Sequence, residues 1–252
     1  ELRTAWSTGL NVAALSESIA KECTKLDPDS AFIAGLLNQI GVNVVIIHGG
    51  GPQINSVLDQ MGIRPRFVRG MRLTDERTMD VVEMVLGGKV NKAIVHQINQ
   101  QGGKAVGLSG KDGGLIQAKK LQIVHQEDRN KAPEIIDPGL VGEVTHINSD
   151  IIEKLTEQGF IPIIAPVGAG KAGETFNINA DLVASRIAMA LEAGRLILLT
   201  DVDGVLDAGG RLISSINAAQ IKKMIDDQCI LGGMIPKIQC ALDAVRSGVK
   251  SA

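Results

Sequence analysis

Four apolar runs most limit the folds open to this chain: VNVVIIH (42–48), KAVGLSG (104–110), FIPIIAPVG (160–168) and RLILLTDVDG (195–204). Each is nearly continuous in hydrophobic and β-branched residues, the pattern of a strand buried on both faces. Between them, DERTMDVVEMVLGGKVNKAIVHQINQQGG (75–103) and NSDIIEKLTEQG (148–159) carry apolar residues at helical spacing. Asp or Asn/Ser stands at their starts and Gly at their ends, as helix boundaries require. Strands alternating with helices build a mostly parallel sheet covered by helices. LQIVHQEDRN (121–130) and LVGEVTHIN (140–148) alternate apolar and polar residues around a Pro/Gly-containing loop. They are expected to pair as a hairpin ribbon beside the main sheet, placed to act as a lid.

Residues 1–42 read differently. NVAALSESIAKECTKL (11–26) and DSAFIAGLLNQIG (29–41) have helical spacing and are joined at Asp27–Pro28, so two helices and no strand are expected ahead of the α/β body. A helix over 23–41 would lay Phe32, Ile33, Leu36, Leu37 and Ile40 on the sheet.

Composition removes several functional classes. The formal charge of -2 offers no basic excess for nucleic acid or an anionic membrane, and 2% aromatics with no tyrosine leave no stacking platforms. No apolar run approaches the roughly 20 residues that span a bilayer, and the first residues lack a secretory signature, so a cytoplasmic address is expected. Cys23, Cys229 and Cys240 match neither a disulfide framework nor a metal-ligand spacing and read as reduced core residues; no metal site is expected.

The chemistry-bearing stretch is NVVIIHGGGPQ (43–53), a buried strand running into Gly49, Gly50 and Gly51 with Pro52 just inside the next helix. Bare backbone at a helix N-terminus suits an anion, because oriented amides and the helix dipole act together. A tight turn with close strand–helix packing accounts for the same glycines. GLSGKDGG (107–114) and VGAGKAGE (167–174) set Lys111 and Lys171 near glycines, but neither completes a P-loop, and no Rossmann fingerprint is present. FNINADLVASRIAMAL (176–191) places Asn177, Asn179 and Asp181 ahead of a helix, as caps and a first-turn acid or as ligand-holding groups. Asp201, Asp203 and Gly204 end a strand, LGGMIPK (231–237) brings Lys237 to a helix start, and Arg72 is a candidate carboxylate clamp.

Read in order, HGGGPQI, GMRLTDERTMDVVEMVLGGKVNK, GLSGKDGG, PEIID, VGEV, IPIIAPVG, NINAD, LLTDVDGVLD and GGMIPKI closely resemble the N-acetylglutamate kinases of the amino-acid kinase family, from about residue 41 to 252. The resemblance implies a three-layer α/β sandwich with a mostly parallel central sheet. It implies ATP-dependent phosphoryl transfer to the side-chain carboxylate of N-acetyl-L-glutamate, with Mg2+ carried by the nucleotide. Residues 43–192 would form the amino-acid-substrate lobe and residues 193–252 the nucleotide-binding lobe; a homo-oligomer is expected because missing family strands at each end would leave strand edges unpaired. Residue by residue, Gly49 and Gly50 resemble the backbone donors to the transferring phosphoryl group. Arg72 resembles the clamp on the substrate α-carboxylate, and Asn177 a side chain holding the acetylglutamate. Asp181 resembles the aspartate orienting catalytic lysines, and Lys237 the lysine at the nucleotide. Thr200, Asp201, Gly204 and Gly233 fall where the family lines its nucleotide pocket.

Two departures accompany it. Nothing in residues 1–42 matches the family's first strand with its Lys-x-Gly-Gly turn; that segment resembles a helical piece of an HDOD domain, with NQIG (38–41) where metal-binding relatives carry His-Asp. The chain ends at GVKSA (248–252), ahead of a further family segment. Both suggest a chimera, whose alternative reading is a protein that keeps fold and ligand binding with little catalysis.

Overall fold

The computed structural model describes residues 11–15, 43–68, 70–125, 134–199, 204–207, 209–227, 229–230 and 234–252. In chain order these form β1 (Asn11–Leu15), β2 (Val44–His48), α1 (Gly51–Gln60), β3 (Phe67–Val68), β4 (Met71–Arg72) and α2 (Glu76–Glu83). A π-helical segment (Met84–Val90) joins α2 to α3 (Asn91–Gln100), followed by β5 (Ala105–Ser109), β6 (Ile116–Lys120), β7 (Ile123–His125), β8 (Glu134–Ile136) and β9 (Gly142–Ile147). Then come α4 (Asp150–Glu157), β10 (Ile161–Ala165), β11 (Val167–Ala169), β12 (Thr175–Asn177), α5 (Ala180–Ala190), β13 (Arg195–Leu199), α6 (Ala218–Asp226) and α7 (Met234–Arg246).

The central sheet has the order β13-β1-β2-β10-β5, and every neighbouring pair is parallel. All five carboxyl ends therefore share one edge, where ligands of open α/β sheets bind. The period of two along VVIIH explains the layering. Val44 and Ile46 join one buried cluster with Ile54, Leu58, Val82, Leu86 and Ile94 of the helices; Val45 and Ile47 join another with Ile116, Val144, Phe176, Val183 and Ile187. Helices cover one face, and α5 with a second sheet of order β12-β11-β6-β9 covers the other. This is the three-layer α/β sandwich expected, and its body reads from sequence to element nearly run for run.

The first strand corrects the reading of residues 1–42. Asn11–Leu15 is not helical; it lies between β2 and β13, pairing Asn11 with Val44 and Arg195 and Leu15 with His48 and Leu199. Val-Ala-Ala-Leu suits either state, and Ala and Leu favour a helix in isolation, but a slot flanked by two strands supplies backbone partners on both sides and overrides that preference. At these residues the chain continues the sheet, so they belong to no separate all-α segment. The remainder of the expected helical hairpin, including the helix over 23–41, lies outside the described residues.

Two further expectations change. FIPIIAPVG is two strands rather than one, because Pro166 separates β10 in the central sheet from β11 in the second. The ribbon strand β7 pairs with β8, from PEIID, whereas LVGEVTHIN gives β9, which pairs with β6. Cys240 is buried as expected, but Cys229 is exposed.

Beyond β13, a small third cluster of Ile221, Ile230 and Ile238 holds α6 and α7 together. The hydroxyl of Ser185 on α5 donates to the Cys240 carbonyl at 2.9 Å, fastening α7 to the main body. Among the described residues, no helix is long and apolar enough to cross a membrane.

Candidate active site

β2 ends at His48 on the ligand-binding edge of the sheet, and the chain passes through Gly49 and Gly50 directly into α1. No side chain caps that helix, Pro52 sits in its first turn, and no acidic residue stands there. Its leading amides and the positive end of its dipole are left for an anion. The packing explanation for Gly50 also holds: a Cβ would stand 2.6 Å from Cδ2 of Leu86 and 3.3 Å from Cγ2 of Val90, both on the π-helical segment. Gly50 thus lets the helical layer close against the turn while keeping its backbone bare.

His48 is 1% exposed. Burial pushes its imidazole from the ordinary 6.5 down to about 4, against the opposing effect of a hydrogen bond to Gly49 O and with a lesser contribution from the Lys92 charge.

Arg72, at the end of the β3–β4 hairpin, is buried beside this turn. Its Nη2 donates to the Gly51 carbonyl at 3.3 Å, and its guanidinium carbon lies 4.7 Å from the ring centre of Phe67, its partner across the hairpin. A guanidinium held this way presents a planar fork that matches a carboxylate. Thr74, two residues on, is fully buried; its hydroxyl donates to the Arg72 carbonyl at 3.0 Å and accepts from Asn177 Nδ2 at 3.3 Å. The segment 138–140 runs between them: Thr74 N donates to Pro138 O, Leu140 N to Thr74 O, and Asn177 N to Leu140 O. The expected clamp, the expected substrate-holding amide and the triple glycine are therefore linked by hydrogen bonds, although Asn177 lies over a hundred residues from the other two in sequence.

Asn177 leads into α5. Asn179 is the helix cap, its side chain accepting from Leu182 N at 3.1 Å. Asp181 does something else. Its Oδ2 pairs with Lys237 Nζ at 2.8 Å, both side chains being largely buried, and its Oδ1 is buried without a hydrogen-bond partner among the described residues. Lys237 comes from the first turns of α7, so this pair joins the α6–α7 unit to the helix that begins beside Asn177. The second oxygen leaves the carboxylate with acceptor capacity beyond its ion pair.

The residues expected to line a nucleotide pocket fare unevenly. Thr200, Asp201 and Gly233 lie outside the described residues. Gly204 has φ +136, a backbone conformation that calls for glycine, next to the bridge between Leu206 and Leu212. Thr74 and Asn91 were not singled out from the sequence; a Thr after a strand and an Asn inside a helix carry no local signal.

The sequence profile of the amino acid kinase family matches residues 17–252. The chain belongs to this family. The match begins upstream of the boundary near residue 41 drawn from the motifs. The chain is 54% identical over 235 residues to an acetylglutamate kinase of Syntrophobacter fumaroxidans, covering 93% of this chain and 75% of that protein. It is 58% identical over 214 residues to an acetylglutamate kinase of Desulfotalea psychrophila, covering 85% and 72%. The crystal structure of smu.665 from Streptococcus mutans UA159 superposes with a TM-score of 0.81 at 32% identity, covering 95% of this chain and 91% of that one.

Proposed function

We infer that this amino acid kinase is an N-acetylglutamate kinase, transferring the γ-phosphoryl group of ATP to the side-chain carboxylate of N-acetyl-L-glutamate. The observation that carries the reading is the hydrogen-bonded course from Gly51 through Arg72 and Thr74 to Asn177, which sets a carboxylate clamp and an amide beside an uncapped helix N-terminus. The relatives at 54% and 58% identity support the same substrate.

The chemistry asks little of a base. A carboxylate is already a nucleophile: one of its oxygens forms a bond to the γ-phosphorus, the bond from that phosphorus to the β,γ-bridging oxygen breaks, and ADP leaves. Catalysis then consists of holding the reactants in line and neutralising charge on the phosphoryl oxygens. In this reading Arg72 holds the α-carboxylate and Asn177 the acetylglutamate. The Gly49–Gly50 turn and the start of α1 meet the phosphoryl group, and Lys237, oriented by Asp181, lies toward the nucleotide. Magnesium enters with ATP as part of that substrate. A cytoplasmic address and homo-oligomeric assembly accompany the reading as expectations.

The test is ADP release in a coupled assay together with hydroxylamine trapping of the acyl phosphate. ADP release and hydroxamate formation should both require N-acetylglutamate. ADP release at the same rate with glutamate, or without any acceptor, would overturn the reading.

A further inference from the structure

Asn91 opens α3 and is fully buried. Its Nδ2 faces three acceptors: Ile163 O of β10 at 2.8 Å, Leu108 O of β5 at 3.3 Å and His48 Nε2 of β2 at 3.1 Å. Its Oδ1 accepts from Lys92 Nζ at 3.2 Å. Two carbonyls on one side and an ammonium on the other leave the amide a single orientation, because a carbonyl accepts and cannot donate. β5 makes room for it with Gly107, where any Cβ would collide with the Asn91 side chain and Lys92 Nζ.

That orientation dictates the imidazole. Facing an N–H donor, His48 Nε2 must be the bare nitrogen, so the proton of the neutral ring is on Nδ1, which reaches Gly49 O at 2.9 Å. The proton thus donates to the Gly49 carbonyl. In a trans peptide the C=O of one residue and the N–H of the next point in opposite directions. Fixing the Gly49 carbonyl toward His48 therefore turns the Gly50 N–H away from it.

We propose that His48 and Asn91 are positioning residues, which lock the Gly49–Gly50 peptide so that the Gly50 N–H is presented to the phosphoryl group. The proposal rests on the kinase reading above for the identity of that group. Its structural half, the tautomer and the peptide orientation, is independent of any substrate.

Two variants separate the donor at Nδ1 from the tie to Asn91. In His48→Asn the side-chain amide falls where Nδ1 was and still donates to Gly49 O, while the link to Asn91 is lost; Asn91 keeps its two carbonyls. In His48→Gln the amide reaches the Nε2 position, keeping the link and losing the donor. If the peptide lock matters, His48→Asn keeps kcat within about tenfold. His48→Gln loses about 10²- to 10³-fold, as for removal of a preorganised donor. KM for N-acetylglutamate changes little in both, since Arg72 and Asn177 are untouched. If His48 merely packs or ties strands, His48→Gln does as well as His48→Asn or better, and the proposal falls. The wild-type protein gives a second readout that needs no turnover: ¹⁵N correlation spectra of the His48 ring should show a protonated Nδ1 and a bare Nε2. A ring protonated at Nε2 overturns the proposal even in an active kinase. Absence of any acetylglutamate phosphorylation by the wild type, with the Nδ1–H ring present, instead overturns the assigned substrate.

Discussion

A neutral imidazole at position 48 ties the fold's stability to pH. Its proton affinity is lowered on folding, from 6.5 to about 4, mainly by burial. Between those values the unfolded chain binds a proton that the native protein does not, so stability is fully present above pH 6.5 and falls as pH drops toward 4. The loss is on the order of 3 kcal/mol, or roughly 6–12 °C in Tm for a chain of this size. Melting curves between pH 7 and 4 should show this component in the wild type and lack it in His48→Asn. Equal slopes in the two proteins would remove His48 from the account. A second prediction concerns Lys237. Replacing it with Met should reduce kcat by about 10²- to 10³-fold, as loss of a charge-stabilising group does. It should also lower Tm, because Asp181 then has neither oxygen paired in a largely buried place. Combining it with Asp181→Asn should recover the Tm and none of the activity; a double variant no more stable than Lys237→Met would mean that the unpaired Asp181 carboxylate is not what lowers the Tm. Arg72, Asn177, Asp181 and Lys237 could be singled out in the sequence because charged and amide groups at strand ends and helix starts advertise themselves, and the family resemblance supplied their expected roles. Thr74 and Asn91 were not, because their roles depend on carbonyls that only the folded sheet brings near them.

At the scale of elements, the triple-glycine turn poses a question that its surroundings sharpen. Gly50 is needed by packing, since Leu86 and Val90 of the π-helical segment crowd it, and it is needed by chemistry if a phosphoryl group approaches its N–H. One pair of substitutions separates these. Gly50→Ala should lower stability by about 1–3 kcal/mol through overpacking. Adding Leu86→Ala should relieve the clash and restore part of that stability, which chemical denaturation measures. Activity should not return, because the methyl group still stands between backbone and phosphate. Recovery of kcat along with stability would show that Gly50 is only a packing residue. The π-helical segment was invisible in the sequence: DERTMDVVEMVLGGKVNKAIVHQINQQGG reads as one continuous helix, and the local change of period at Met84–Val90 leaves the apolar pattern intact. β1 was misread for the opposite reason. Its residues favour a helix locally, and only the vacant place between β2 and β13 makes them a strand. Elements whose state follows from their own apolar pattern, such as β2 and β5, were read correctly; those decided by neighbours were not.

For the whole molecule, the alternation of buried runs and amphipathic helices was enough to fix the layers, but not how substrate and nucleotide divide them. Two large clusters flank the central sheet, while the cluster of Ile221, Ile230 and Ile238 is small and joined to the body chiefly through α7 against α5. A small core opens at lower free energy than a large one, so the unit spanning 205–242 should exchange its amides faster than the strands of the central sheet. A ligand that binds only the folded state raises the cost of opening wherever it makes contact. If Lys237 serves the nucleotide, MgADP alone should slow exchange over 234–246, and N-acetylglutamate alone should slow it around Arg72–Thr74 and Asn177. The Lys237–Asp181 pair bridges the two regions, so both ligands together should protect α7 more than MgADP does by itself. Hydrogen exchange followed by mass spectrometry reads all three conditions. Protection of 72–74 by MgADP with none over 234–246 would reverse the division of labour and move the nucleotide to the glycine side of the molecule.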